Sequence, residues 1–132
     1  MERYYTTIEQ SMHLMDFKLN PQTADMSYNK VVYEPNQTKY VLGLNSPKKD
    51  DYPCWSVGAL IDLIPKQIKS NSKIHSLSIL TMPHTYSISH TDSRFETTIG
   101  VQIIGKSLID VVYQYIMWLI QNGYINGNKP NN

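Results

Sequence analysis

The chain lacks most of the features that announce a function. It has one cysteine in 132 residues, Cys54, so no internal disulfide can form and a reducing compartment is expected. Neither sign of charge dominates: 12 Lys and Arg stand against 11 Asp and Glu, a net charge of +1. Sequence-independent binding to a nucleic-acid backbone needs a strong positive field, which this balance does not supply. Long apolar runs are missing too. The longest, residues 111–120, is interrupted by Gln114 and falls short of the ~20 apolar residues that span a bilayer. Met1-Glu2-Arg3-Tyr4-Tyr5 leads into polar sequence without the apolar segment of a signal peptide, so a soluble cytoplasmic protein with no membrane partner is expected. There is no G-x-S-x-G, P-loop, dinucleotide fingerprint, C-x-x-C or H-E-x-x-H, so no motif implies a catalytic residue, a metal or a cofactor. No internal repeat is visible.

What the chain does have is a strongly apolar helix near its carboxyl end, residues 107–122. Leu108, Val111, Val112, Tyr115 and Leu119 recur at helical spacing, and Ile116, Trp118 and Ile120 widen the stripe. Ser107 is the expected N-cap, with Asp110 placing negative charge in the first turn. Gly123 supplies the left-handed residue of a Schellman stop, with Tyr124 folding back onto Leu119. This is the helix against which the rest should pack.

Upstream, residues 6–19 predict a first helix with an apolar face of Ile8, Met12, Met15 and Leu19, opened by a capping box of Thr6 and Glu9. Residues 30–33 and 40–44 read as a hairpin around Pro35-Asn36, followed by an exposed loop over 45–52. Residues 56–64 predict a short helix capped by Ser56, stapled by Trp55 and Leu60, and ended by Pro65. Trp55 is read as packing, not as a ligand platform.

A three-stranded meander follows. A turn at 82–85 pairs Ile79 with Ile88 and Leu77 with His90. A turn at 91–94 pairs His90 with Phe95 and Tyr86 with Ile99, which puts the apolar residues on one face. The predicted fold is therefore α+β: an antiparallel hairpin and meander packed against the C-terminal helix, with an N-terminal and a middle helix, as one domain over 1–126 with a polar tail over 127–132.

Histidine is the place to look for a hidden site. His84 and His90 are separated by ~20 Å of extended chain. The register sets His75 opposite Asp92 and diagonal to His90, a cluster that could hold a metal or move a proton. The preferred reading is a half-exposed rim with His90 wedged between Leu77 and Phe95. Cys54 precedes a helix N-terminus, which can activate a thiol, but a small buried thiol is expected. Lys66, Lys69, Lys73 and Arg94 form a modest basic patch that, with ten tyrosines, permits a stacking nucleic-acid surface; solvated lysines explain it better.

Three segments carry a resemblance. Tyr5-Thr6-Thr7-Ile8-Glu9-Gln10-Ser11 running on to Thr23-Ala24-Asp25-Met26, then Pro53-Cys54-Trp55-Ser56-Val57-Gly58-Ala59-Leu60, then Trp118-Leu119-Ile120-Gln121-Asn122-Gly123-Tyr124-Ile125, together resemble a group of small uncharacterised proteins of Bacteroides-type gut bacteria, their phages and mobile elements. The resemblance implies a phage or mobile-element origin and assigns no catalytic residue. The expected function is a non-enzymatic protein-interaction module, with self-association through Trp118 or an exposed sheet edge. A nucleic-acid-associated accessory protein is the alternative, and a small metal-dependent or hydrolytic enzyme comes third.

Overall fold

The structure, a computed structural model, describes residues 2–125; the predicted tail at 127–132 lies outside the described residues. In chain order the elements are α1 (Ile8–Asp16), a 3-10 turn (Pro21–Thr23), β1 (Met26–Tyr33), β2 (Gln37–Gly43), β3 (Tyr52–Cys54), α2 (Val57–Leu63), β4 (Gln67–Ser70), β5 (Lys73–Thr81), β6 (Tyr86–Thr91), β7 (Ile103–Gly105) and α3 (Leu108–Gln121). They build an α+β arrangement with two antiparallel sheets, of strand order β2-β1-β3 and β4-β5-β6-β7. None of the described helices is long and apolar enough to cross a membrane.

The C-terminal helix follows from its sequence. Ile109, Val111, Val112, Tyr115, Ile116 and Leu119 are buried and contact α2, β6 and β7. Burying each large apolar side chain stabilises by ~1.5–3 kcal/mol before ordering entropy is subtracted. Ser107 caps the helix. At the far end Gly123 is left-handed (φ 78°), its N–H reaches Ile120 O at 3.2 Å, and Tyr124 N–H reaches Leu119 O at 2.9 Å. Those two bonds are the Schellman pair. The Tyr124 ring stacks on Trp118, with centroids 5.5 Å apart.

α1 corrects the expected face and cap. Ser11 and Leu14 are the buried residues, while Met12 and Met15 are exposed. Thr7, not Thr6, caps the helix, and its capping-box partner is Gln10, not Glu9. The reason is that Thr6 is spent elsewhere. Its hydroxyl accepts from Trp55 N at 3.1 Å and pairs with Ser11 Oγ at 2.8 Å, and its carbonyl accepts from Tyr28 Oη at 2.6 Å. Fully buried, Thr6 ties the first segment to the β3–α2 junction, where Tyr5 also bridges Ser56. The segments around Thr6 and Trp55 thus hold each other directly.

The predicted hairpin is β1–β2, turned by left-handed Asn36 (φ 72°). A third strand, β3, sits inside what reads as loop and capping sequence, and Pro53 tolerates it because β3 is an edge strand. α2 is capped by Ser56, with Trp55 and Leu60 both buried at the staple positions. Trp55 Nε1 donates to Thr23 Oγ1 at 2.9 Å, so its ring is a core element.

In the larger sheet the first predicted register holds: Ile79 lies opposite Ile88 and Leu77 opposite His90. The second does not. Tyr86 lies opposite Gly105 and Ile88 opposite Ile103, with an isolated bridge at Thr91–Thr98. The chain leaves the sheet at Asp92, whose carboxylate accepts from Glu96 N at 2.9 Å and Thr97 Oγ1 at 3.0 Å, closing a loop where a four-residue turn was expected. Phe95 is carried out on that loop, 68 % exposed. The slip is by an even number of residues, so Ile99 and Ile103 still join the core-facing set. β4, also unforeseen, extends the sheet by pairing Ile68 with His75.

Candidate functional site

The three residues singled out as a possible metal or proton site do not converge. His90, fully buried on β6, turns inward to α3. Its Nε2 lies 2.7 Å from Pro65 O and its Nδ1 2.5 Å from Tyr115 Oη. A carbonyl only accepts, so Nε2 carries a proton. Burial pushes the His90 pKa below its ordinary value, which keeps the ring neutral and makes Nδ1 an acceptor for the Tyr115 hydroxyl. Burial also pushes the Tyr115 hydroxyl pKa up. The chain Tyr115–His90–Pro65 is a satisfied polar strut between helix, sheet and the α2–β4 connection. Of its two expected neighbours Leu77 does lie opposite it, while Phe95 is carried away on the loop, and the ring is buried where a half-exposed one was expected.

His75 and Asp92 do come together, through a residue the sequence did not flag. His75 Nε2 lies 3.1 Å from Thr97 Oγ1, which donates to Asp92 Oδ2 at 3.0 Å. The backbone N–H of Glu96 is the largest influence holding the Asp92 carboxyl below the usual range, and Thr97 adds to it. Lys73 Nζ stands 4.0 Å from the same carboxylate oxygen. His75 is 5 % exposed, so the rim is closed where a half-open one was expected. Asp before Ser-Arg is a recognisable turn signal. Thr97 as the link had no signal, because it depends on where the loop returns.

Among the described residues no group of three His, Cys, Asp or Glu side chains is arranged to hold a metal ion. Cys54 is fully buried; burial raises its thiol pKa, and its Sγ faces the Thr6 carbonyl at 3.5 Å. That disfavours the thiolate and leaves a packing role. Trp118, named as possible free surface, is stacked between Tyr115 and Tyr124 and lies against Gly100.

Two hollows flank the 92–97 loop. One, of about 640 Å³, runs over the outer face of β5 and includes Ser76, Ser78, Lys73, Arg94 and Phe95. The other, of about 300 Å³, includes His75, Lys73, Ser70 and Thr98. Of the predicted basic patch, Lys73 and Arg94 share the first hollow, while Lys66 and Lys69 are exposed on and beside β4.

The smaller sheet offers a different surface. Its interior is slight: Met26, Tyr28 and Cys54 are buried, with Tyr40, Leu42 and Tyr52 partly covered. Beyond Tyr28 the hairpin is open, and Val32, Tyr33, Val41 and Leu44 are 65, 47, 46 and 76 % exposed. β2 is bonded to β1 on one side, and among the described residues no strand pairs with its other edge. Comparison of the chain with protein-family models, with curated proteins and with solved structures finds no match.

Proposed function

We propose that the protein is a non-enzymatic interaction module that associates with a second copy of itself along the free edge of β2. The observation that carries this reading is the coincidence of an unpaired seven-residue strand with four exposed apolar side chains on and around its hairpin. Strand edges template pairing unless proline, charge or a bulge blocks them, and β2 carries one charge, Lys39, and no proline. A two-fold antiparallel pairing centred on Tyr40 sets Lys39 opposite the partner's Val41, so like charges are not opposed. A phage or mobile-element origin belongs to the same proposal, supported by the three segments quoted above.

Sedimentation over a concentration series tests the reading. The wild type should self-associate with little dependence on salt. Val41→Lys should remain monomeric and melt within about 0.5 kcal/mol of the wild type, because the side chain is exposed. A wild type that stays monomeric throughout would refute the proposal.

A nucleic-acid role is the second reading, favoured by one observation: exposed Phe95 shares its hollow with Arg94 and Lys73. Binding of single-stranded nucleic acid that weakens steeply with salt and is lost in Phe95→Ala would support it.

A further inference from the structure

The hollow of about 640 Å³ over the outer face of β5 is lined jointly by that strand and by the loop over 92–97. The loop is firmly tied. Asp92 N–H reaches Thr97 O at 3.2 Å, Phe95 N–H reaches Asp92 O at 3.1 Å, and the Asp92 carboxylate accepts from Glu96 N–H and the Thr97 hydroxyl. What it holds up is Phe95, 68 % exposed and left-handed (φ 57°), a conformation disfavoured for any residue with a Cβ. Neither packing nor backbone preference within the chain accounts for an aromatic ring there. On either side stand Arg94 and Glu96, both exposed; among the described residues neither side chain makes an ion pair or a hydrogen bond. The other two charges of the hollow answer each other, with Lys73 Nζ 4.0 Å from Asp92 Oδ2. Ser76 and Ser78 add hydroxyls from β5, and Ile74, 55 % exposed, adds an apolar flank.

The hollow therefore carries both signs of charge equally, Lys73 and Arg94 against Asp92 and Glu96, beside an aromatic face and several hydroxyls. A polyanion would gain Arg94 and meet Glu96. A zwitterion would answer both, but charge pairs at this exposure contribute little, and the ring and the serines would stay unused. A carboxylate only accepts and a guanidinium only donates, whereas neighbouring hydroxyls, each donor and acceptor, satisfy the two together. We propose that the hollow binds a neutral saccharide chain. The C–H face of one sugar ring lies on Phe95, and its adjacent hydroxyls bridge Glu96 and Arg94. The chain continues along β5, over Ile74 and the hydroxyls of Ser76 and Ser78. The volume is within the range of small-molecule sites, roughly 300–1,000 Å³. Because the loop is already fixed through Asp92, binding orders little of the protein. The inference goes beyond self-association at β2. It uses the hollow of the nucleic-acid reading with the opposite consequence for charge.

The chain has two phenylalanines, Phe17 and Phe95, so ring-labelled protein gives a spectrum in which Phe95→Gly identifies the reporter. The test is a titration of the full chain, into the millimolar range, with neutral oligosaccharides of the hexose and N-acetylhexosamine series. Single-stranded oligodeoxynucleotides form the parallel arm. At least one neutral oligosaccharide should move the Phe95 ring signals saturably, with an affinity that does not change as salt is raised. Glu96→Gln and Arg94→Gln should each weaken it about three- to tenfold. Phe95→Gly should weaken it at least about tenfold and melt no lower than the wild type, since glycine relieves the left-handed backbone. A Phe95 ring that no neutral oligosaccharide moves, or equal affinity in Phe95→Gly, overturns the proposal. So does a ring moved by the oligodeoxynucleotide alone, with tighter binding in Glu96→Gln, which assigns the hollow to a polyanion. Val41→Lys should bind the saccharide as the wild type does, so a failure of association at β2 leaves this inference standing.

Discussion

The two sheets are made from similar residues and have opposite fates. Both are antiparallel, both alternate apolar with polar side chains, and both begin from a hairpin. The four-stranded sheet receives α3, and with it Ile88 and Ile99 are buried beneath Val112, Tyr115 and Leu119 in one continuous core. Among the described residues the three-stranded sheet receives the start of the chain and α1, and the hydrophobic cluster it forms there has three buried members, Met26, Tyr28 and Cys54. A hairpin without a cover is marginal in water. Apolar periodicity therefore describes what a strand can bury, and a neighbouring helix decides whether it does.

The hardest way to break the covered half is to charge its roof. Leu119→Asp places a carboxylate where exposure is 0 % and should leave the domain unfolded at room temperature. A soluble variant with a cooperative melt would refute the packing of α3. Gly100→Ala comes next. Its φ is 63°, and a Cβ would stand 2.0 Å from the Trp118 ring, so strain and overpacking together should cost about 2–4 kcal/mol by chemical denaturation. The same substitution at Gly123, left-handed but with open space around it, should cost only the conformational part, about 1–2 kcal/mol.

Tyr115→Phe removes the proton that His90 Nδ1 accepts and should cost about 1–3 kcal/mol. The same strut sets a pH dependence. Burial lowers the folded-state His90 pKa below 6.5, so on acidification the unfolded chain takes up a proton that the folded chain refuses. Stability should be whole above pH 6.5 and fall as pH drops below it. A second loss follows below 3.8 as Asp92 and Asp110 are protonated. At Asp110 burial opposes ionisation, but Gln10 and Arg3 hold its folded-state pKa down. His90→Gln should flatten the upper window and leave the lower one; an unchanged slope between pH 7 and 5 would count against the neutral ring. The smallest effect lies in the uncovered half. Val32→Thr, at 65 % exposure, should change stability by less than about 0.5 kcal/mol.

What could be read from the chain alone divides along the same line. The C-terminal helix, its Ser107 cap and its Gly123 stop were legible because they are local, and so was the Ile79–Ile88 register, which a tight turn fixes. The second register was not, because Asp92 closes its loop with Glu96 and Thr97, contacts that no periodicity encodes. The α1 face was misplaced for a related reason. Met12 and Met15 have the right spacing, but Thr6 is held by Trp55, far along the chain, and that anchor turns Ser11 and Leu14 inward. His75 was expected opposite Asp92; the strand pairing ends one step short, at Ser76 and Thr91, and Thr97 links the two instead, while the bonds of His90 to Tyr115 and Pro65 depend on tertiary packing.

Native-state hydrogen exchange tests the contrast between the halves most directly. Amides of β6 and α3 should exchange only through global unfolding. Those of β2 should exchange far faster in dilute protein and slow as concentration rises and the free edge is covered. Amides of β2 as protected as those of α3 in dilute solution, or indifferent to concentration, would contradict the account.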